Sequence, residues 1–292
     1  LMLIRLVSLG LAAGLVLLPP LSLAAEGRAV RVAANFDRST APALHSSAAL
    51  VINGLTGEPI YAKNGEVPMP IASITKVMTA MVVLDAHLPM NELITIVDAD
   101  VDYLKNSGSR LVVGSTLPRS EMLLLALMSS ENRAAAALAR TYPGGMRHFV
   151  AKMNQKARAL GMSSSVFYDS TGLNSNNSAT TIDLARMVSG AYHYPQIRQY
   201  TTTQQQDVQV SPSRMLHYKN SNALVREGEW QIGLSKTGYI KEAGRCLVMQ
   251  ATVNNLPLII VLLDGNGSQS RIQDAKSIRT WLERQPGSWM AG

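Results

Sequence analysis

Apolar residues recur along the chain at two different spacings, and the change from one to the other outlines the fold. Residues 48–53 and 59–62 are short apolar runs separated by Gly54-Leu55-Thr56-Gly57, which predicts two strands joined as a hairpin. Residues 73–86 obey a different rule. Ile74, Val77, Met78, Met81, Val82 and Leu84 leave almost no polar face, so this segment predicts a helix buried at the centre of the molecule. Helical spacing continues over residues 120–128, 133–140, 146–160 and 181–192, with Gly161 at a C-cap position and Pro195 beyond the last. From residue 201 the pattern turns to strands, at 201–210, 215–225, 232–238, 246–253 and 258–263, punctuated by Gly, Asn and Pro. An amphipathic helix over 270–283 closes the series. Hairpin, central helix, helical block, strand run and closing helix predict an α/β (α+β) fold. Its antiparallel sheet is flanked by helices, with a helical subdomain inserted at about residues 95–200.

The N-terminus has a pattern of its own. Arg5 precedes an apolar run at residues 6–18, then Pro19-Pro20, then the small residues Ser22, Ala24 and Ala25. This is the layout of an export signal occupying residues 1–25, and the run is short for a bilayer span. Residues 26–45 read as an irregular lead-in, 46–287 as one folded domain and 288–292 as a tail.

Composition narrows the partners. Twenty-seven Lys and Arg against 20 Asp and Glu give a net charge of +7, but the cations are scattered and only 5% of residues are aromatic. That favours general attraction to anionic surroundings and carries no nucleic-acid footprint. Cys246 is the only cysteine, so no intramolecular disulfide can form, and its strand-like setting predicts a buried structural thiol. His45, His87, His148, His193 and His217 are dispersed without metal-ligand spacing. No Gly-x-Ser-x-Gly elbow or phosphate-cradling loop occurs, and no cofactor is expected.

Three short segments could carry chemistry. In Ser73-Ile74-Thr75-Lys76 a serine and a lysine lie one turn apart at the start of the apolar helix. A serine hydroxyl becomes a strong nucleophile once an adjacent base takes its proton, and burial favours the neutral amine that can do so. The helix start also offers backbone N–H groups to a developing oxyanion. Ordinary surface placement is the alternative, although a lysine in so apolar a helix needs a reason. Ser130-Glu131-Asn132 falls between two predicted helices, where a hydroxyl could relay a proton and an amide could bind a carbonyl. Taken alone, helix capping is the better explanation of these residues, and Ser175-Asn176-Asn177 repeats the spacing. Lys236-Thr237-Gly238 ends a predicted strand; its cation and hydroxyl could hold a carboxylate, and its glycine would let a peptide approach. An exposed strand end with a turn glycine is the plainer possibility.

Taken in order and at these separations, the three segments resemble the motif set of penicillin-binding proteins and class A β-lactamases, where Asp usually holds the middle place of the second motif. The flanking segments Pro70-Ile71-Ala72-Ser73-Ile74-Thr75-Lys76-Val77-Met78-Thr79, Phe167-Tyr168-Asp169-Ser170-Thr171-Gly172-Leu173 and Lys236-Thr237-Gly238-Tyr239 with Ala243-Gly244 are similar to low-molecular-mass penicillin-binding proteins. These are the D-alanyl-D-alanine carboxypeptidases and endopeptidases, and the likeness extends over about residues 46–284. It implies a β-lactamase/transpeptidase-like fold in which Ser73 is the nucleophile, Lys76 its base and Ser130 the proton relay. Asn132, Lys236, Thr237 and Gly238 would hold substrate, and the N–H groups of Ser73 and Tyr239 would form the oxyanion hole. Lys236 would also help keep Lys76 neutral. The implied partners are peptidoglycan stem peptides and their cross-links, β-lactam antibiotics and other cell-wall hydrolases, in the periplasm and without a stable membrane anchor.

Within the family, only residues 285–292 follow the last helix, which favours the short endopeptidase type acting on D-alanyl–diaminopimelate cross-links over a carboxypeptidase. Ile240 stands where many relatives carry a hydroxyl, which bears on terminal-D-alanine preference. A class A β-lactamase would need a carboxylate base between the second and third motifs. The only glutamates there are Glu227 and Glu229, and Asp169 sits in a loop one residue too long. A wall-binding module without turnover is the non-enzymatic alternative, and the intact motif set stands against it.

Overall fold

The computed structural model describes residues 37–285. The export signal, most of the lead-in and the 288–292 tail lie outside the described residues. The predicted hairpin is β1 (Ser46–Asn53) and β2 (Pro59–Lys63). A short β3 (Met69–Pro70) leads into a 3-10 turn at Ala72–Ile74 and then α1 (Thr75–Asp85). β4 (Leu93–Thr95) and β5 (Thr116–Pro118) pair ahead of α2 (Arg119–Met128), α3 (Asn132–Arg140) and α4 (Gly145–Ala159). β6 (Ser178–Ala179) returns to pair with β3, followed by α5 (Thr181–Ala191) and α6 (Pro195–Thr202). The hairpin β7 (Gln205–Ser211) and β8 (Arg214–Lys219) and the short α7 (Ala223–Glu227) precede the main strand run. That run is β9 (Gln231–Ile240), β10 (Gly244–Val253) and β11 (Leu256–Gly265), and α8 (Ser270–Glu283) ends it.

The central sheet has five strands in the order β2-β1-β11-β10-β9, every pairing antiparallel. Both of its faces are covered, which is why its inner strands read as unbroken apolar runs and not as alternation. Ala48, Leu50, Val248, Ile259, Val261 and Leu263 join the large core shared with α1 to α5. Ala49, Val51, Met249, Ile260 and Leu262 point the other way, onto Ile272, Ile278, Trp281 and Leu282 of α8. Each Val, Leu, Ile or Met among them contributes about 1.5–3 kcal/mol on burial. As its all-round apolar sequence predicts, α1 is buried along residues 75–83, Lys76 included.

Two predicted strands begin or end differently. Thr201 and Thr202 finish α6, and strand structure starts only at Gln205. Pro195 is the first residue of that helix, a place its fixed φ suits, and the buried pair Ile197 and Thr201 lies one turn apart. Packing therefore overrides the β preference of the Thr run. The 215–225 segment leaves strand geometry after Lys219, because Asn222 caps α7 by accepting the Leu224 N–H at 3.0 Å.

Candidate active site

Four segments converge on Ser73, and local backbone geometry brings each of them in. Ser73 itself lies in the 3-10 turn before α1, next to Ala72 in a left-handed conformation with φ +48°. The loop before β6 then lays its backbone directly on that turn. At Gly172 φ is +83°, and a Cβ would stand 1.9 Å from Ala72 O, so only glycine permits the approach. β9, the free edge of the sheet, passes on the other side. A Cβ at Gly238 would stand 3.0 Å from Ile71 O and 3.2 Å from Ser73 N. Ser130 occupies the corner between α2 and α3 with φ +64°.

The Lys76 amine is the centre of the arrangement. Its Nζ lies 2.8 Å from Ser73 Oγ, 2.7 Å from Asn132 Oδ1 and 2.7 Å from Thr171 O. Asn132 Oδ1 and Thr171 O are carbonyl oxygens and can only accept. They use both N–H bonds of a neutral amine and leave its lone pair for the Ser73 hydroxyl. Burial pushes the Lys76 pKa down to about 7, against the opposing pull of the Asp169 and Glu131 carboxylates. Exclusion from water is thus the main cause of the neutral amine, and burial was one of the two causes expected from sequence. Asn132 is oriented in turn by Ser107, whose Oγ accepts from its Nδ2 at 2.9 Å. Glu131 is buried beneath the corner, accepts from the Ser109 hydroxyl, and is itself raised by burial.

Lys236, from β9, completes the opposite wall. Its Nζ is 2.9 Å from Ser130 Oγ and 2.9 Å from Thr237 O. It is buried as deeply as Lys76, and its pKa is lowered well below the ordinary value, first by burial and then by the Lys76 and Arg271 charges. Thr237 Oγ1 bonds Ser221 Oγ at 2.7 Å. Tyr239, the next residue after Gly238, is half exposed, while Ile240 packs into the large core. Every site residue named from sequence is therefore gathered here: Ser73, Lys76, Ser130, Asn132, Lys236, Thr237, Gly238 and Tyr239.

Sequence reading missed several neighbours. Arg271, on α8, donates from Nη1 to Gly238 O at 3.1 Å, and its buried Nε has no hydrogen-bond partner. Nothing in the local pattern separates it from the other cations of that helix. Asn177 belongs to the second Ser-x-Asn copy, and it serves the same site as a clamp. Its Oδ1 accepts from Tyr168 N at 2.7 Å and Asp169 N at 3.2 Å, and its Nδ2 donates to Thr75 Oγ1 at 3.1 Å. Its backbone carbonyl accepts from Ile71 N at 3.1 Å, tying the loop to the turn before Ser73. Cys246 is buried and its thiol is pushed up to about 12 by burial, so it takes no part. Among the described residues no cluster of His, Cys, Asp and Glu has metal-site geometry.

A serine backed by a buried lysine, set between a helical lobe and the free edge of an antiparallel sheet, defines a serine peptidase of transpeptidase-like fold. The crystal structure of the Streptomyces K15 DD-transpeptidase shares this fold, with a TM-score of 0.76 and 28% identity over 82% of this chain and 98% of that one. The chain belongs to the S11 peptidase family, described as D-alanyl-D-alanine carboxypeptidase, whose profile it matches over residues 35–267. A D-alanyl-D-alanine endopeptidase of Pseudomonas aeruginosa is 46% identical over 241 residues, 82% of this chain and 78% of the relative. Another from Escherichia coli K12 is 41% identical over 257 residues, 88% and 83% of the two chains.

Proposed function

We propose that this chain is a D-alanyl-D-alanine endopeptidase that hydrolyses D-alanyl–diaminopimelate cross-links of peptidoglycan through an acyl-enzyme on Ser73, and that penicillin acylates the same hydroxyl. The observation that carries this reading is the Lys76 amine, 2.8 Å from Ser73 Oγ, with its other two neighbours able only to accept. The endopeptidase names of the relatives that are 46% and 41% identical favour cross-links over free termini.

The geometry supports a two-step acyl transfer. Lys76 takes the proton as Ser73 Oγ attacks the D-alanyl carbonyl, and the N–H groups of Ser73 and Tyr239 stabilise the oxyanion. Ser130 passes a proton to the departing amine and recovers one from the ammonium formed on Lys76. Water then attacks the ester, with Lys76 again as base. Asn132 aligns the peptide along β9, and Thr237 with Arg271 receives the carboxylate beside the scissile bond. That carboxylate supplies the counter-charge that the buried Lys236 lacks. Glu227 pairs with Lys276 of α8 at 3.5 Å, and Asp169 is held by Thr171, Gly172 and Asn177. Neither is free to activate water in the manner of a β-lactamase, so the penicilloyl ester should be long-lived.

The expected export signal and a cell-wall substrate set the enzyme in the periplasm, working on cell shape beside other wall hydrolases. No helix of the described residues is long and apolar enough to cross a membrane. The domain limits expected from sequence, 46–287 with a helical subdomain near 95–200, belong to the same reading. Purified enzyme incubated with cross-linked and uncross-linked muropeptides tests it directly. Cross-links should open, fluorescent penicillin should label the protein, and Ser73→Ala should lose both activities while keeping its fold. Wild-type cleavage by Ser73→Ala would end the assignment.

A further inference from the structure

A cross-link and a free D-alanyl terminus both place a carboxylate beside the scissile amide. What sets the cross-link apart is a second stem peptide that continues from the leaving amino acid and carries carboxylates of its own. An enzyme acting on cross-links needs room and charge for that strand beyond the carboxylate position.

Past Gly238, Tyr239 borders a polar recess of about 440 Å³ that is also lined by Lys241, Arg245, Asp264 and Ser47. The β9–β10 register sets Arg245 directly opposite Tyr239, and its guanidinium carbon lies 3.9 Å above the Tyr239 ring centroid. This stack holds the planar donor fork in place before any ligand arrives. Arg245 and Lys241 form no ion pair among the described residues. Arg271 approaches from α8 with its Nε unpartnered, close enough that the Arg245 charge disfavours its own. The one carboxylate in the recess, Asp264, accepts from Ser47 Oγ at 2.7 Å and offsets part of this positive charge. Glu242, on the adjoining turn, is paired with Lys105 across the cleft. Two cations, Lys241 and Arg245, therefore line the recess against one carboxylate, Asp264, with Arg271 behind Gly238, and the resulting positive excess is one that an anionic ligand relieves.

We infer that this recess receives the carboxylate-bearing stem peptide on the leaving side of the cross-link, with Arg245 pairing a carboxylate and the Tyr239 ring supporting the strand's aliphatic part. The inference rests on the endopeptidase reading and adds the residues that select for a cross-link.

The test compares Arg245→Gln and Arg245→Glu with the wild-type chain on a purified cross-linked muropeptide dimer, a short peptide ending in D-alanyl-D-alanine, and fluorescent penicillin. Losing one charge-assisted hydrogen bond should raise KM for the dimer about tenfold in Arg245→Gln, and more in Arg245→Glu, with kcat kept. Penicillin and the short peptide have no leaving strand, so acylation and D-alanine release should stay within about twofold of wild type. A parallel change on all three substrates, or no change on the dimer, overturns the inference. If circular dichroism shows that Arg245→Gln does not fold, Lys241→Gln takes its place: a raised dimer KM supports the recess and an unchanged one removes it. A wild-type enzyme that labels with penicillin but leaves the dimer intact would remove the endopeptidase reading and this inference together.

Discussion

In the proposed mechanism, whether Ser73 reacts depends on the protonation of a single neighbour. A Lys76 amine with a pKa near 7 is neutral above that value and charged below it, and only the neutral form has a lone pair for the Ser73 proton. The rate of penicillin acylation should therefore climb as pH rises through about 7 and then level off. A rate flat from roughly pH 5.5 to pH 8 would be incompatible with Lys76 as base. The same shift acts on stability. Between about 7 and the ordinary lysine value of 10.5 the unfolded chain binds a proton that the folded one does not, so stability from this group rises with pH across that window. Below about 7 both states are protonated and the dependence vanishes. Replacing Lys76 by Met should remove about 1.4 kcal/mol per pH unit from the slope of unfolding free energy against pH. Denaturant titrations at several pH values measure this, and an unchanged slope would show that the amine is not held neutral.

Elements meet at the site through backbone contacts that tolerate no side chain. Gly172 is the clearest instance, because its loop carries Thr171 O to Lys76 and presses on the carbonyl of Ala72. A Gly172→Ala chain must relieve both a left-handed φ and a backbone clash. The conformational strain alone is worth about 1–3 kcal/mol, so the denaturant midpoint should fall. Acylation should fall with it, because relief moves the loop away from α1. A Gly172→Ala chain with wild-type acylation kinetics would mean that the contact is incidental. The Asn177 clamp works at the same level, joining the loop to Ile71 on one side and Thr75 on the other. Ser-x-Asn spacing thus occurs twice for two reasons, once to face the cleft and once to hold its wall.

Across the whole molecule, charge and burial separate two kinds of recognition. The cations behind the net charge of +7 are scattered along the chain, and they should draw the protein towards an anionic wall polymer by long-range forces. Such attraction is screened within about 10 Å at 0.1 M salt and about 3 Å at 1 M. Retention on purified peptidoglycan should therefore drop as salt is raised. If the proposed chemistry at Ser73 is governed by the buried lysines, it should hardly respond, and the rate of penicillin labelling should stay constant over the same range. If labelling and retention fall together, salt is acting on the fold and not on the surface. Placing the site against a sheet covered on both faces keeps it rigid, since β9 is backed by β10 and β11 and these by α8.

The chain's own text was enough for some of this. An apolar helix holding one lysine, three short motifs in order, and strands apolar on both faces are local facts. They follow from periodicity within a turn or a strand and from the reactivity of particular side chains. The central helix and the β9–β11 run could be read that way, whereas the eight site residues were named together only through the resemblance of the three motifs to penicillin-binding proteins. Other features depend on distance in space between residues far apart in the chain. Only packing places Arg271 under Gly238, sets β1 between β2 and β11, pairs Met69 with Ala179, and turns Thr201 into the end of a helix. Sequence periodicity says which face of an element is apolar; it does not say which other element that face will meet. The neutrality of Lys76 belongs with these, because it depends on how completely water is excluded, and that is a property of the assembled core.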